Sequence, residues 1–339
     1  MSAAPGTTPV PDLLASIDAL QATRRLDPAR RDQLDAELVQ LRHDAVDLLD
    51  RRPARAEWPP TYADPFPGVV GIPEVAAADL DADTMGGGIV HHGSVLVRGL
   101  VPPDGVARLV DGIEAAFDAY SAWFDDGATA EATAPWFVPF EPNAGYDYKA
   151  FKRGFVRQAG GVWTVDSPRM LADVLELGES TGLTAHITSF LGERPVVALD
   201  KMTLRRVPLD CGNGWHQDGA FLGPDIRTVN VWIALTDCGG DDSDTPALEV
   251  VPRRIDHVVA TGTPGAPFET FVSPTVVDEV SAGVGVARPR FAAGDALIFD
   301  HLYLHQTYIR PTMTRERYAL ESWFFAPSVF PADQIPLVV

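Results

Sequence analysis

The chain has 339 residues, enough for one large domain or two ordinary ones, and its 46% hydrophobic content supports a sizeable core. A net charge of −20 offers nucleic acid no basic footprint and would be repelled by an acidic membrane surface; no apolar run reaches spanning length, and the first residues lack the pattern of a signal peptide. Two cysteines, Cys211 and Cys238, are too few for a disulfide framework and lack zinc-site spacing, which fits a reducing, cytoplasmic setting.

Residues 1–10 are small, Pro-containing and aperiodic, and read as disordered. Residues 11–23 predict a short helix. Asp27-Pro28 supplies an N-cap followed by proline at the first helical position. Leu34, Leu38, Leu41, Ala45 and Leu48 then recur at helical spacing, an apolar stripe running to about residue 51. This helical arm, residues 1–52, can dock on the body of the same chain or on a second copy as a homo-oligomer. Residues 53–68 are rich in proline and aromatics and predict an extended surface linker, with the main domain over 69–339.

Ile89–Val101 predicts a strand punctuated by glycine, and Pro102-Pro103-Asp104 starts a helix that runs to about Trp123. Residues 124–165 read as irregular, with Trp136, Phe137, Phe140, Tyr146, Tyr148 and Phe151 close together. Loops this long inside a compact domain tend to be functional or disordered, and the aromatic density argues for an ordered flap over a site. Residues 167–192 predict helix. Short β-branched or aromatic runs follow at Val196–Arg206, Thr228–Leu235, Ala247–Val251, Phe271–Thr275, Ala296–Leu304 and Ala319–Ala326, each bounded by turns. The acidic stretch Gly239–Pro246 lacks calcium-loop spacing and reads as a solvated hairpin connection. Helices first and strands after give an α+β fold whose β part is a sandwich or barrel.

The chemistry is concentrated in His216-Gln217-Asp218. On a strand, residues two apart share a face, so His216 and Asp218 can close on one metal while Gln217 turns away. Two imidazoles and one carboxylate hold Fe(II) on one side and leave the other open for oxygen chemistry. The second histidine must come from His301 or His305. In one extended strand these would lie about 13 Å apart, at roughly 3.3 Å per residue, so both cannot serve one mononuclear site. Spacing alone does not choose between them.

Five stretches occur in order between about residues 196 and 326: Trp215–Gly219 (WHQDG), Val229–Leu235 (VNVWIAL), Ala247–Pro252 (ALEVVP), Gly294–Thr307 (GDALIFDHLYLHQT) and Arg317–Ala319 (RYA). With Ile89–Val101, this set resembles the phytanoyl-CoA dioxygenase family of Fe(II)/2-oxoglutarate-dependent oxygenases. The resemblance implies a double-stranded β-helix (jelly-roll, cupin-like) core with flanking helices. It selects His305, followed two residues later by the hydroxyl of Thr307, and makes His216, Asp218 and His305 the metal-binding and catalytic set. It implies that Arg317 holds the 2-oxoglutarate carboxylate, with Arg315 as the fallback. A guanidinium suits that task because its rigid fork binds a carboxylate in two places. Arg315 and Arg317 would share a strand face, so periodicity does not separate them. Thr307 can add a hydrogen bond, Trp232 matches an aromatic placed beside the cosubstrate, and Asn230 on the same face can bond the cosubstrate or a ligand.

The implied activity is oxidation of a small-molecule substrate, with 2-oxoglutarate and O2 consumed and succinate and CO2 released. Related iron halogenases replace the carboxylate ligand with a small residue; Asp218 is present, which favours hydroxylation or another oxidation. The chain departs from the family after Val251-Pro252, where Arg253-Arg254-Ile255 replaces the usual Gly-Ser-His. Lys149, Lys152, Arg153 and Arg157 can meet an anionic substrate group or pair with surface acids. Two rival readings are a metal oxygenase of this fold without 2-oxoglutarate, and a non-catalytic β-barrel binding protein docking partners through its arm.

Overall fold

A computed structural model describes residues 10–49, 57–212, 214–223 and 225–339. The expected disorder at 1–9, the end of the helical stripe and the start of the linker lie outside the described residues. Helix α1 (Val10–Leu26) and helix α2 (Arg31–Asp44) flank a 3-10 turn at Pro28–Arg30, where the Asp27 side chain accepts a hydrogen bond from the Ala29 amide. Their apolar stripe is buried against the same chain. Ile17, Leu38, Ala45 and Val46 cluster with Val196, Ala198, Phe325 and Val338. Arg24, 1% exposed, pairs with Asp35 of α2 and with Asp173 and Glu176 beyond the arm. The stretch from residue 57 is a packed strap: Trp58 and Tyr62 both rest on the Phe190 ring.

Strand β1 (Glu74–Ala76) and helix α3 (Ala82–Gly87) come next. Of the stretch Ile89–Val101, expected to contain a strand, the first residues belong to a π-helical turn, Gly88–His92. Gly93, at φ +88°, ends it and releases the chain into β2 (Ser94–Arg98). Helix α4 (Pro103–Phe124) follows its two prolines as predicted. The segment 124–165 is less irregular than expected, since it holds α5 (Ala130–Thr133), α6 (Lys152–Gln158) and β3 (Gly161–Trp163). The helical region 167–192 is split at Gly182, φ +75°, into α7 (Pro168–Ser180) and α8 (Leu183–Leu191).

Strand β4 (Val196–Val207) leads to α9 (Gly219–Leu222), β5 (Thr228–Ala234) and β6 (Ala247–Val250). Phe271–Thr275 is not a strand, because Pro274 occupies the first turn of α10 (Pro274–Val280). Ala296–Leu304 is not one strand either. Strand β7 (Ala296–Phe299) stops at Asp300, whose side chain and carbonyl accept from the Leu302 and Tyr303 amides, and β8 (His305–Tyr308) begins in another sheet. Strands β9 (Arg317–Phe325) and β10 (Pro336–Val338) complete the chain.

Among the described residues eight strands form one sheet in the order β1-β2-β7-β5-β9-β4-β10, with β3 also on β4, and only β1 and β2 pair in parallel. β6 and β8 form a second, two-stranded sheet. The result is a mixed helix–sheet fold with one large sheet. One face of that sheet, including Val231, Ile233, Ile298 and Leu320, packs on Ile113, Phe117, Leu171 and Ile187 of the helices. The alternate residues, including Trp232, Leu297, Phe299 and Ala319, cluster with Leu248 and Val250 of β6. Between β4 and β9 the register breaks: Ala198, Leu199, Asp200 and Lys201 stand opposite Trp323 alone. Among the described residues no helix is long and apolar enough to cross a membrane.

Candidate active site

The triplet His216-Gln217-Asp218 does not lie on a strand. His216 makes a lone antiparallel bridge with His305, and Asp218, at φ −63° and ψ −29°, is already turning into α9. The shared-face argument therefore fails, and the turn does its work instead. It brings Asp218 Oδ1 to 3.7 Å from His216 Nε2. Gln217 does turn away. Its buried amide donates to the His257 and Leu302 carbonyls and accepts from the Val259 amide, tying two segments to the triplet.

The bridge is reciprocal: His216 N donates to His305 O at 3.0 Å and His305 N to His216 O at 3.1 Å. It sets the two rings side by side, with centroids 4.4 Å apart. Each ring is oriented the same way. His216 Nδ1 faces the Gly214 carbonyl at 2.7 Å, and His305 Nδ1 faces the Tyr303 carbonyl at 2.9 Å. With Nδ1–H donating, each Nε2 keeps a lone pair. Burial lowers both imidazoles, His305 to about 3, so both are neutral at neutral pH.

Asp218 completes the set. Burial raises its carboxyl well above the usual carboxylate range. Asn230 Nδ2 donates to Oδ2, while Oδ1 has no hydrogen-bond partner among the described residues. One donor atom from each of His216, Asp218 and His305 lies within 4.8 Å of the others. Two neutral imidazoles and an orphaned carboxylate oxygen fit a divalent cation. His301 is not part of this group. It is buried behind it, where its amide donates to Thr228 Oγ1 and its carbonyl accepts from the Gly219 amide.

The two arginines that periodicity could not separate sit in different surroundings. Arg315 is outside β9, exposed, and bound to both carboxylate oxygens of Asp244 at 2.8 Å. Arg317 opens β9 fully buried, and none of its three guanidinium nitrogens has a hydrogen-bond partner among the described residues. Its Cζ lies 5.1 Å from the Trp232 ring centroid. Burial lowers it to about 10. A cavity of about 230 Å³ is lined by His216, His305, Asn230, Trp232, Phe299 and Thr307.

Several lining residues escaped the sequence reading: Lys201, Thr203 and Arg205 of β4, Phe221 of α9, and Glu321 and Trp323 of β9. Thr203 Oγ1 donates to Glu321 Oε2 at 2.9 Å, and Arg205 Nε lies 3.4 Å from Glu321 Oε1. Alternation along β9 was the available signal, because Ala319, Glu321 and Trp323 share the face of Arg317. Of the aromatic segment, Phe137 and Phe140 join the core, and only Phe155, Val156 and Ala159 reach the cavity. Its cations pair within the protein: Lys149 with Asp147, Lys152 with Asp200 and Arg153 with buried Asp166, while Arg157 lies over the Phe117 ring. The acidic loop is an ion-paired strip, with Asp241, Asp242 and Asp244 facing Arg288, Arg290 and Arg315. The departure at 253–255 has a job too: Arg254 Nη1 holds Asp300 Oδ2 at 2.6 Å, bracing the turn that separates β7 from β8.

Residues 89–310 match the family model described as phytanoyl-CoA dioxygenase (PhyH). Among solved structures the chain is similar to AviO1 from Streptomyces viridochromogenes Tue57, at 19% identity over 69% of this chain and 90% of that one, with a TM-score of 0.40. It is also similar to EctD from S. alaskensis in two structures. The one with 2-oxoglutarate and 5-hydroxyectoine is 14% identical over 68% of this chain and 72% of that one, TM-score 0.44. The one with bound Fe is 14% identical over 81% and 86%, TM-score 0.48. No curated protein matches the chain.

Proposed function

The chain belongs to the phytanoyl-CoA dioxygenase family, and on that premise we propose that it is an Fe(II)/2-oxoglutarate-dependent dioxygenase that hydroxylates a small molecule. The carrying observation is the convergence of His216, Asp218 and His305 on one point. We assign His216 Nε2, His305 Nε2 and Asp218 Oδ1 as the iron ligands. When bound, Fe(II) with 2-oxoglutarate supplies the activation of O2 and the oxidation of a substrate C–H bond, releasing succinate and CO2.

The protein's own residues bind, orient and exclude water. The Gly214 and Tyr303 carbonyls hold the two imidazoles in the ligating tautomer. Asn230 fixes the rotation of the Asp218 carboxylate. Arg317 is assigned the distal carboxylate of 2-oxoglutarate, with Thr307 adding a hydrogen bond and Trp232 backing the guanidinium. Its lack of a hydrogen-bond partner among the described residues supports the assignment, because a buried charge without one is costly unless a ligand supplies it. The same observation weighs against an oxygenase without 2-oxoglutarate. Phe299 and Trp232 supply apolar lining beside the two histidines. Asp218 as a carboxylate ligand favours hydroxylation over halogenation.

Two facing sheets support a double-stranded β-helix core as the finer reading of the fold. The division into an arm (1–52), a linker (53–68) and an oxygenase domain (69–339), and a cytoplasmic setting with both cysteines free, belong to the same proposal. Assembly of copies through the arm is a separate proposal, tested by the mass in solution. The deciding experiment for function is anaerobic titration with Fe(II) and 2-oxoglutarate. A visible charge-transfer band is expected in the wild type and absent in Asp218→Ala and His305→Ala. No band, and no succinate formed in air with candidate substrates, would overturn the reading.

A further inference from the structure

The irregularity between β4 and β9 serves the cavity. Bulges beside active sites re-aim side chains, and this one turns Lys201 over Trp323 and Phe221, with Nζ 5.5 Å and 5.2 Å from the two ring centroids. The other charges at the wall are matched. Arg205 pairs with Glu321, and Lys152 with Asp200 at 3.1 Å. Lys201 makes no hydrogen bond among the described residues, and Asp200, already held by Lys152, stays 4.0 Å from it. At the metal end, Fe(II) and Arg317 would be balanced by Asp218 and a 2-oxoglutarate dianion. Lys201 is then held loosely: it shares Asp200 with Lys152, at 4.0 Å against 3.1 Å, and rests over the two rings.

The mouth has a second character. Phe155 and Phe221 line the cavity while 73% and 39% exposed. Exposed aromatics gathered at an opening mark a surface that a ligand covers. We propose that the substrate carries one compact anionic group, a carboxylate or a phosphate monoester, seated on Lys201, and an apolar body packed on Phe221, Trp323 and Phe155. This rests on the dioxygenase reading above, since it assigns the substrate of that site.

The test uses the full chain loaded anaerobically with Fe(II) and excess 2-oxoglutarate, so that Arg317 is occupied. Calorimetry compares three probes: 3-phenylpropanoate, 2-phenylethyl phosphate and neutral 3-phenylpropanamide. One anion is expected to bind about 10-fold tighter than the amide, the size of one charge-assisted hydrogen bond, and the better anion tells carboxylate from phosphate. Lys201→Met should remove the preference and Lys201→Arg should retain it. Equal binding of all three probes by the wild type, or by none, would overturn the proposal without recourse to any variant. So would a preference that survives Lys201→Met but is lost in Arg317→Leu. A Lys201-dependent preference in a protein that gives no charge-transfer band would sink the dioxygenase reading alone and uphold the anion seat.

Discussion

Arg317 carries a cost that its neighbours do not relieve. Its guanidinium is buried, without a hydrogen-bond partner among the described residues, and lowered to about 10 by burial. Removing an unpaired buried charge relieves the fold, so Arg317→Met should match or exceed the wild type in stability without ligand while losing 2-oxoglutarate binding by about 30-fold or more. Urea unfolding and the charge-transfer titration check the two halves. The pH dependence follows from the direction of the shift. Below about 10 the group is charged folded and unfolded, so the wild type bears the full cost. Above that, the folded form releases its proton first, and the stability gap between variant and wild type should narrow. Asn230→Ala frees the Asp218 carboxylate to rotate and should weaken Fe(II) affinity about 10-fold, read by metal titration. At this scale much was legible. His216 and Asp218 lie two positions apart in sequence, and an arginine followed by Tyr-Ala is a readable pattern. Lys201 was not, because its position depends on a register break between strands far apart in the chain.

Glycine placement decides where several elements begin. Gly294, at φ +102°, precedes β7, and a Cβ there would lie 2.2 Å from the Val101 carbonyl oxygen. Gly294→Ala should cost about 2 kcal/mol or more in urea unfolding, from backbone strain and the clash together. Gly127 has φ +71° but open space around it, so Gly127→Ala should cost only about 1 kcal/mol. Comparing the two separates strain from collision. β4, β5 and β9 were legible because β-branched and aromatic runs with turn boundaries encode strands locally. The Ala296–Leu304 run was misread for the opposite reason: apolar and aromatic residues flank Asp300-His301 on both sides, and the break comes from Asp300 capping a turn that Arg254 braces from a distant loop. The triplet failed likewise, since a turn and a strand can present the same two side chains.

For the molecule as a whole, the arm is held by charge as well as by apolar contact. Arg24 is buried among Asp35, Asp173 and Glu176. Arg24→Met leaves the buried Asp35 with Arg169 as its remaining cation and should destabilise the chain by about 3 kcal/mol. A single shifted unfolding transition, followed by both fluorescence and circular dichroism, is the expected form. The sequence showed the arm's stripe but not its target, because β10 and α7 lie far along the chain.

The reciprocal bridge between His216 and His305 has a further consequence. The two imidazoles are spaced by main-chain bonds before any ion arrives, so loading requires no local refolding. A ready-made site of this kind has little power to refuse the wrong guest. Copper and zinc generally outcompete ferrous iron at such ligands, so correct loading would depend on which ions the surroundings supply, and stray zinc should act as a competitive poison.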